Sequence, residues 1–169
     1  KNLIRCLKYT YETFEPEGYD AFKCSSCKHT KVKTGYKIRT LPKVLVVQLK
    51  RFGFSTTSGM GTKNTSQVDC PLDIDLASFT KEADGLGEGG TVETAYKKVA
   101  VVNHKGSTLF SGHFTADVCF SDSWFTCDDD SVLQKRVNPK IDKELAYIVV
   151  YRRRDVAAAM LSRVDRVNE

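Results

Sequence analysis

The sequence predicts an α+β domain built mainly of antiparallel strands, and three observations carry that prediction. Short runs rich in β-branched and aromatic residues recur between Lys31 and Arg153, separated by Pro, Gly, Asn and Asp signals. Helix-forming spacing or composition occurs only near the two ends of the chain. Two runs, "VLVVQLKRF" and "LAYIVVYRR", are apolar on both faces, as strands inside a sheet are. With 169 residues, the chain suits one domain with a real core.

Taken in order, "NLIRCLKYTYETF" places Leu3, Cys6, Leu7 and Tyr11 at helical spacing behind Asn2, a fitting N-cap. "EPEGYDAF" reads as a turn and a short extended piece. In "KVKTGYKIR", Val32, Thr34, Tyr36 and Ile38 alternate with Lys31, Lys33, Lys37 and Arg39, which predicts a half-buried strand. Pro42 ends it, and "VLVVQLKRF" follows as a central strand. The polar, glycine-containing stretches from Gly53 to Asp69 and from Lys81 to Glu93 have no usable period and read as mobile loops. "CPLDIDLASF" between them predicts a short strand or turn. "YKKVAVVNH" is a strand, "HFTADVCF" and "WFTC" form a hairpin around "SDS", and "LAYIVVYRR" is a last, central strand. The tail "DVAAAMLSRVDRVNE" has good helix formers with uneven apolar spacing, as in a surface helix or a frayed end.

Composition excludes several function classes. No apolar run approaches the ~20 residues a membrane span needs. No secretory signal pattern stands at the start, where Lys1 is not preceded by Met. The net charge of +5 and a pI near 8.8 are mild for a dedicated nucleic-acid binder. The lysines between Lys23 and Arg51, a stretch without an acidic residue, alternate with apolar residues as the solvated side of a strand does. Six cysteines, of which only Cys24 and Cys27 are paired in spacing, suit a reduced, intracellular chain better than a disulfide framework.

Two motifs carry chemistry. His113 opens a strand directly after Ser111 and Gly112, and residues two apart share a face. His113, Thr115, Asp117 and Cys119 are expected to face a cleft or solvent, with Phe114, Ala116, Val118 and Phe120 toward the core. On the next strand Trp124, Thr126 and Asp128 share a face, so antiparallel pairing brings Asp128 within reach of His113. A carboxylate on one imidazole nitrogen fixes the tautomer and leaves the other as a base. The plainer alternative is an exposed strand-end histidine beside an acidic turn. His104 is a rival base, but it has no carboxylate in view. The second motif is Cys24-x-x-Cys27, half of a tetrahedral zinc site. No second C-x-x-C exists in the chain, and His29, Cys6 and Cys70 are poor or remote complements. Either other residues complete the site or it is vestigial. A redox pair lacks the strand and helix such a motif needs.

Together these residues resemble the catalytic domain of the ubiquitin-specific proteases, the papain-like deubiquitinases. "FKCSSC" resembles the second C-x-x-C of the family's fingers, and "LPKVLVVQLKRF" its LKRF strand. "YKKVAVVNHKGSTLFSGHFTA" resembles the histidine box, "WFTCDDDSV" the segment of the third triad member, and "AYIVVYRR" the terminal palm strand. The resemblance implies a papain-like fold over residues 1–153, with fingers at about 1–40, palm at about 41–153 and a tail at 154–169. It implies that His113 is the general base, that Asp128 orients it, and that Asp129 positions the nucleophile or steadies the oxyanion. Gly112, with Ser111, Phe114 and Trp124, would line the channel for ubiquitin's Gly-Gly tail. The stretches from His104 to Ser111 and from Gly53 to Gln67 resemble its blocking loops. Phe114 stands where tyrosine is common, losing a hydroxyl and keeping the ring.

The chain departs from the family pattern on one side. It holds neither the cysteine box that supplies the nucleophile nor the first C-x-x-C, and none of its six cysteines has a cysteine-box context. The resemblance is therefore to the C-terminal half of the domain, without the thumb helices. The implied function is a deubiquitinating thiol isopeptidase whose nucleophile lies outside these residues. A catalytically inactive ubiquitin-binding scaffold is the alternative. The implied partners are ubiquitin, ubiquitinated proteins and an N-terminal half carrying the cysteine box, with structural zinc, no nucleic acid and no membrane, in cytoplasm or nucleus.

Overall fold

The structure, a computed structural model, describes residues 1–16, 23–30, 33–54, 61–80, 93–108, 110–135 and 142–156. Helix α1 spans Leu3–Tyr11 and is capped as its sequence predicts: the Asn2 side chain accepts the Ile4 N–H at 2.8 Å. Its apolar stripe enters the core through Leu3, with Ile4, Leu7 and Tyr11 packed beside it.

That core lies on one face of a seven-stranded antiparallel sheet. Its strands are β1 (Val44–Gln48), β4 (Asp73–Asp75), β5 (Ala95–Lys105), β6 (His113–Phe120), β7 (Ser123–Asp128), β8 (Ser131–Lys135) and β9 (Ala146–Arg153). The order is β1-β9-β5-β6-β7-β8, with β4 added to β5. A separate two-stranded ribbon joins β2 (Phe52–Phe54) to β3 (Gly61–Lys63). The β6–β7 turn is tight: Ser121 and Asp122 have φ of 46° and 58°, the left-handed pair that matches strand twist in two-residue hairpins.

Several expectations change. Lys31 and Val32 lie outside the described residues, and from Lys33 to Arg39 no strand forms. Thr34 bridges Phe14, Ile38 bridges Thr80, and Tyr36 is exposed. Alternation alone does not make a strand where no neighbouring backbone continues the ladder. β1 pairs with β9 alone and is an edge among the described residues, with Val44 and Val46 exposed. β9 is central, as predicted. The stretch from Gly53 includes the β2–β3 ribbon, while residues 55–60 of that loop and 81–92 of the second are outside the described residues. Of the predicted tail helix, residues 154–156 form one helical turn and the rest lie outside the described residues. On β6 the expected faces are reversed: Thr115 and Asp117 are buried, whereas Phe114 and Phe120 are exposed. The register explains it. Asp117 is opposite Val101, and Val101 is opposite Val149, so all three point to the core side.

Arg51 joins the pieces that no ladder connects. Its buried guanidinium donates from Nε to the Ala146 carbonyl (2.6 Å), from Nη1 to those of Asn64 and Ser66 (both 2.9 Å), and from Nη2 to that of Lys143 (2.8 Å). Removing it strands four carbonyls. Arg51→Met is expected to cost about 3 kcal/mol or more in urea denaturation, since each unmet buried group costs about 1–3 kcal/mol. A loss below about 1 kcal/mol would mean that water replaces the guanidinium without penalty.

Candidate active site

His113 is the first residue of β6 and Asp128 the last of β7, so the hairpin carries both side chains to one end of the sheet. They share the core-side face at a point where the core has run out, and both remain nearly half exposed. The imidazole Nε2 meets Asp128 Oδ1 at 2.5 Å, and Asp129 Oδ2 lies 4.0 Å from the same nitrogen. Lys105, paired with His113 across β5 and β6, places its ammonium 3.8 Å from Asp128 Oδ2. Asp129 sits at φ 47°, in the left-handed region that Asp tolerates, as the first residue of the turn into β8.

The electrostatics follow from these contacts. The hydrogen bond to Asp128, and then that residue's charge, raise the His113 pKa above its ordinary value. The same bond holds the Asp128 carboxyl below the usual range. With Nε2–H donated to the carboxylate, Nδ1 keeps a free lone pair, and no described residue bonds to it. No cysteine joins this cluster among the described residues. Cys127 lies on the opposite face of β7 from Asp128, and Cys70 is buried in the core, where burial raises its thiol pKa.

Behind His113 stands a second layer that only the fold reveals. His104 is buried and packs edge-on to Phe52, with ring centroids 5.1 Å apart. It also packs against Phe114, at 4.7 Å. Phe52 and Phe114 both pack on Tyr147, whose hydroxyl accepts from Gln48 Nε2. Burial, and then the Lys63 charge, lower the His104 pKa, so this imidazole is neutral and is not a base oriented by a carboxylate. Lys63 donates to the His104 and Gly106 carbonyls at 2.7 and 2.8 Å, fastening the loop that leads to Gly112. Gly112 has no room for a side chain: a Cβ there would meet the His104 ring and, at 2.5 Å, the Lys105 carbonyl oxygen. Ser111 closes the same loop through Thr108. Phe114 is half exposed beside Gly112, whereas Trp124 is buried and offers a ligand almost no surface.

On the face that carries His113, buried Asp117 accepts from Asn103 Nδ2 (2.9 Å), Thr126 Oγ1 (2.6 Å) and Lys135 Nζ (2.7 Å). Burial would raise its pKa, but these bonds outweigh it and the carboxyl is lowered. Cys24 and Cys27 lie in a turn closed by the Lys28 N–H on the Cys24 carbonyl. The backbone N–H groups of Cys27 and Ser26 favour the Cys24 thiolate, the form that binds zinc. They suit two corners of a tetrahedral site. The only described cluster of three or more potential ligands is His113, Asp128 and Asp129.

Two outcomes are expected. Asp128→Asn removes the contact that raises the His113 pKa, so its NMR titration midpoint should fall toward the ordinary ~6.5. In the native chain, any stability from the pair is fully present below the unfolded-state pKa and disappears as pH rises through the raised folded value. An unchanged midpoint would show that the pair does not form in solution. Gly112→Ala should cost about 1–3 kcal/mol in denaturant unfolding, because backbone blocks the new methyl. Unchanged stability would mean that the loop is not seated on His104.

Comparison with known proteins shows the family and the fold. The family model described as ubiquitin carboxyl-terminal hydrolase matches residues 3–151. The chain is 34% identical over 154 residues to ubiquitin carboxyl-terminal hydrolase nonstop of Drosophila melanogaster, covering 89% of this chain and 29% of that protein. It is 35% identical over 158 residues to ubiquitin carboxyl-terminal hydrolase 8 of Arabidopsis thaliana, covering 90% and 17%. Among solved structures, the SAGA Ubp8/Sgf11/Sus1/Sgf73 DUB module bound to ubiquitin aldehyde superposes with a TM-score of 0.76 at 27% identity, covering 91% of this chain and 34% of that one. The fold is thus the papain-like one of these hydrolases, and the chain spans less than a third of the length of these two relatives.

Proposed function

We propose, because the chain belongs to the ubiquitin carboxyl-terminal hydrolase family, that it supplies the base and substrate-channel side of a deubiquitinating thiol isopeptidase. The carrying observation is the His113–Asp128 bond, which engages Nε2 and leaves Nδ1 to take a proton. A cysteine outside these residues attacks the carbonyl of ubiquitin's last glycine. His113 Nδ1 takes the thiol proton, and the sulfur–carbon bond forms as the tetrahedral oxyanion develops. On collapse the carbon–nitrogen bond breaks and His113 returns the proton to the departing lysine amine. Water, deprotonated by the same nitrogen, then releases ubiquitin from the thioester. Asp128 fixes the tautomer, and Asp129 faces the same space without a bond to the imidazole.

In this reading the chain is the C-terminal half of the catalytic domain, with fingers over about 1–40, palm over about 41–153 and a tail over 154–169. An N-terminal half carrying the cysteine box completes it. Gly112, Ser111 and Phe114 wall the channel for the ubiquitin tail, with His104, Phe52 and Tyr147 behind them. Solved relatives bound to ubiquitin aldehyde and to monoubiquitin support ubiquitin as the ligand. Cys24 and Cys27 hold half of a structural zinc site whose other ligands lie outside this chain. All six cysteines are free, which suits action in the reducing cytoplasm or nucleus.

The test is hydrolysis of ubiquitin aminomethylcoumarin by the full-length protein. His113→Ala should lower kcat by about 10²-fold or more, and Asp128→Asn should also cost heavily through the wrong tautomer. Half or more of normal turnover in His113→Ala would remove the assignment. Near-normal turnover in Asp128→Asn would move the orienting role to Asp129. Ubiquitin binding with no turnover in the unaltered protein would indicate a scaffold.

A further inference from the structure

We propose that the free edge of β8 docks an extended, lysine-containing segment of the ubiquitin-bearing target, which adds to the sheet as another strand. This deepens the reading of the site given above and rests on it. Among the described residues β8 pairs with β7 alone, and all five of its residues are exposed. Val132 and Leu133 are 62% and 65% exposed, and as neighbours they point to opposite faces, so each side of the edge presents one open apolar side chain. Sheet edges are ordinarily guarded by proline, a bulge or an outward lysine. β8 has no proline and an unbroken register, and its one lysine, Lys135, is bound inward to Asp117. An edge in that condition is a template for an added strand, in which backbone bonds give affinity and alternate side chains give selectivity.

The place of this edge says which strand it suits. The sheet order is β5-β6-β7-β8, with His113 on β6. The channel residues His104, Gly106 and Gly112 lie on the β5 side of it. With ubiquitin's tail entering there, the lysine leaving group and its polypeptide depart over β7 and β8. β8 is about 10 Å from β6, two strand spacings. A target paired along β8 therefore brings a lysine a few residues outside the paired stretch to Nδ1, at about 3.3 Å per extended residue. The turn entering β8 is Asp129-Asp130, with the Asp129 side chain 80% exposed, and it favours a cationic segment. The other long edge, β1, lies across the sheet from His113 and has no such relation to the leaving group.

The experiment uses the full-length protein and three substrates. They are ubiquitin aminomethylcoumarin, ubiquitin joined by an isopeptide bond to a short lysine-centred peptide of alternating valine and lysine, and the same conjugate with prolines interrupting the alternation. The unaltered protein should cleave the strand-forming conjugate with a KM at least about five-fold below that of the proline version, a preference worth about 1 kcal/mol. The double variant Val132→Lys/Leu133→Lys should abolish that preference and leave coumarin hydrolysis unchanged, which also shows that it folds. Equal KM values for the two conjugates, or an equal loss on all three substrates, would overturn the proposal. So would a concentration-dependent dimer that the variant dissolves, or β8 amides already protected from hydrogen exchange without substrate, since the edge would then have another occupant. If the unaltered protein cleaves neither coumarin nor conjugate, the isopeptidase reading itself falls, and this inference with it.

Discussion

The Arg51 guanidinium is the fixed point from which the site is built. A buried cation is costly unless its donors are met, and here four backbone carbonyls from two segments, 64–66 and 143–146, meet them. Two of those carbonyls, on Asn64 and Ser66, follow β3 directly, so Arg51 settles where the β2–β3 ribbon lies. The ribbon then presents Lys63, whose ammonium takes the His104 and Gly106 carbonyls. That contact seats the loop whose end, Gly112, is pressed against the His104 ring. His113 follows immediately. The imidazole is thus placed by the β5–β6 ladder, which pairs Lys105 with His113, together with contacts running back to one arginine.

The core-side face of the sheet changes character along its strands. Around Val101, Val149 and Tyr151 it is apolar and covered. Toward β8 it becomes polar, with Asn103, Asp117 and Thr126 bonded under the hairpin that carries His113 and Asp128. The buried carboxylate stays charged because three donors converge on it and one is an ammonium. The same bond draws Lys135 inward and leaves the outer side of β8 without its one cation. An internal charge balance therefore determines what the surface strand presents.

Local pattern was enough for α1 and its Asn2 cap, for the β6–β7 hairpin, for β9 and for the meeting of His113 with Asp128. Each rests on residues close in sequence, where periodicity and turn chemistry act directly. What pattern did not reveal depends on partners far along the chain. Asp117 points inward because Val101 and Val149 do. β1 shows the double-sided apolar run of an inner strand, yet among the described residues it pairs on one side only. β8 is short and follows three aspartates that read as a turn. Lys63, Phe52 and Tyr147 reach the His104 loop from more than 40 positions away, on either side, so no local signal marks them. The resemblance to a known family implied channel roles for Gly112 and Phe114, and the packing of His104 gives a separate reason for glycine at 112: a methyl there would strike an imidazole that cannot move without displacing two aromatic rings.

The His113–Asp128 pair lies nearly half open to water, where an ion pair gains little because solvent screens it and both side chains lose freedom. The attraction between an imidazolium and a carboxylate grows as water is excluded, because the effective dielectric falls from that of solvent toward that of protein. Whatever surface covers the pair, the cysteine-bearing part of the domain or the ubiquitin tail, therefore strengthens the bond at Nε2. Removing water also disfavours the imidazolium itself, so its charge rests on the carboxylate that faces it. Lys105 opposes this: its ammonium shares the Asp128 carboxylate and repels an imidazolium, so it lowers the His113 pKa. In the proposed reaction the base is thus assembled with its substrate: the geometry is set in advance by the hairpin and the Arg51 framework, while the electrostatic strength of the pair arrives with the surfaces that close over it.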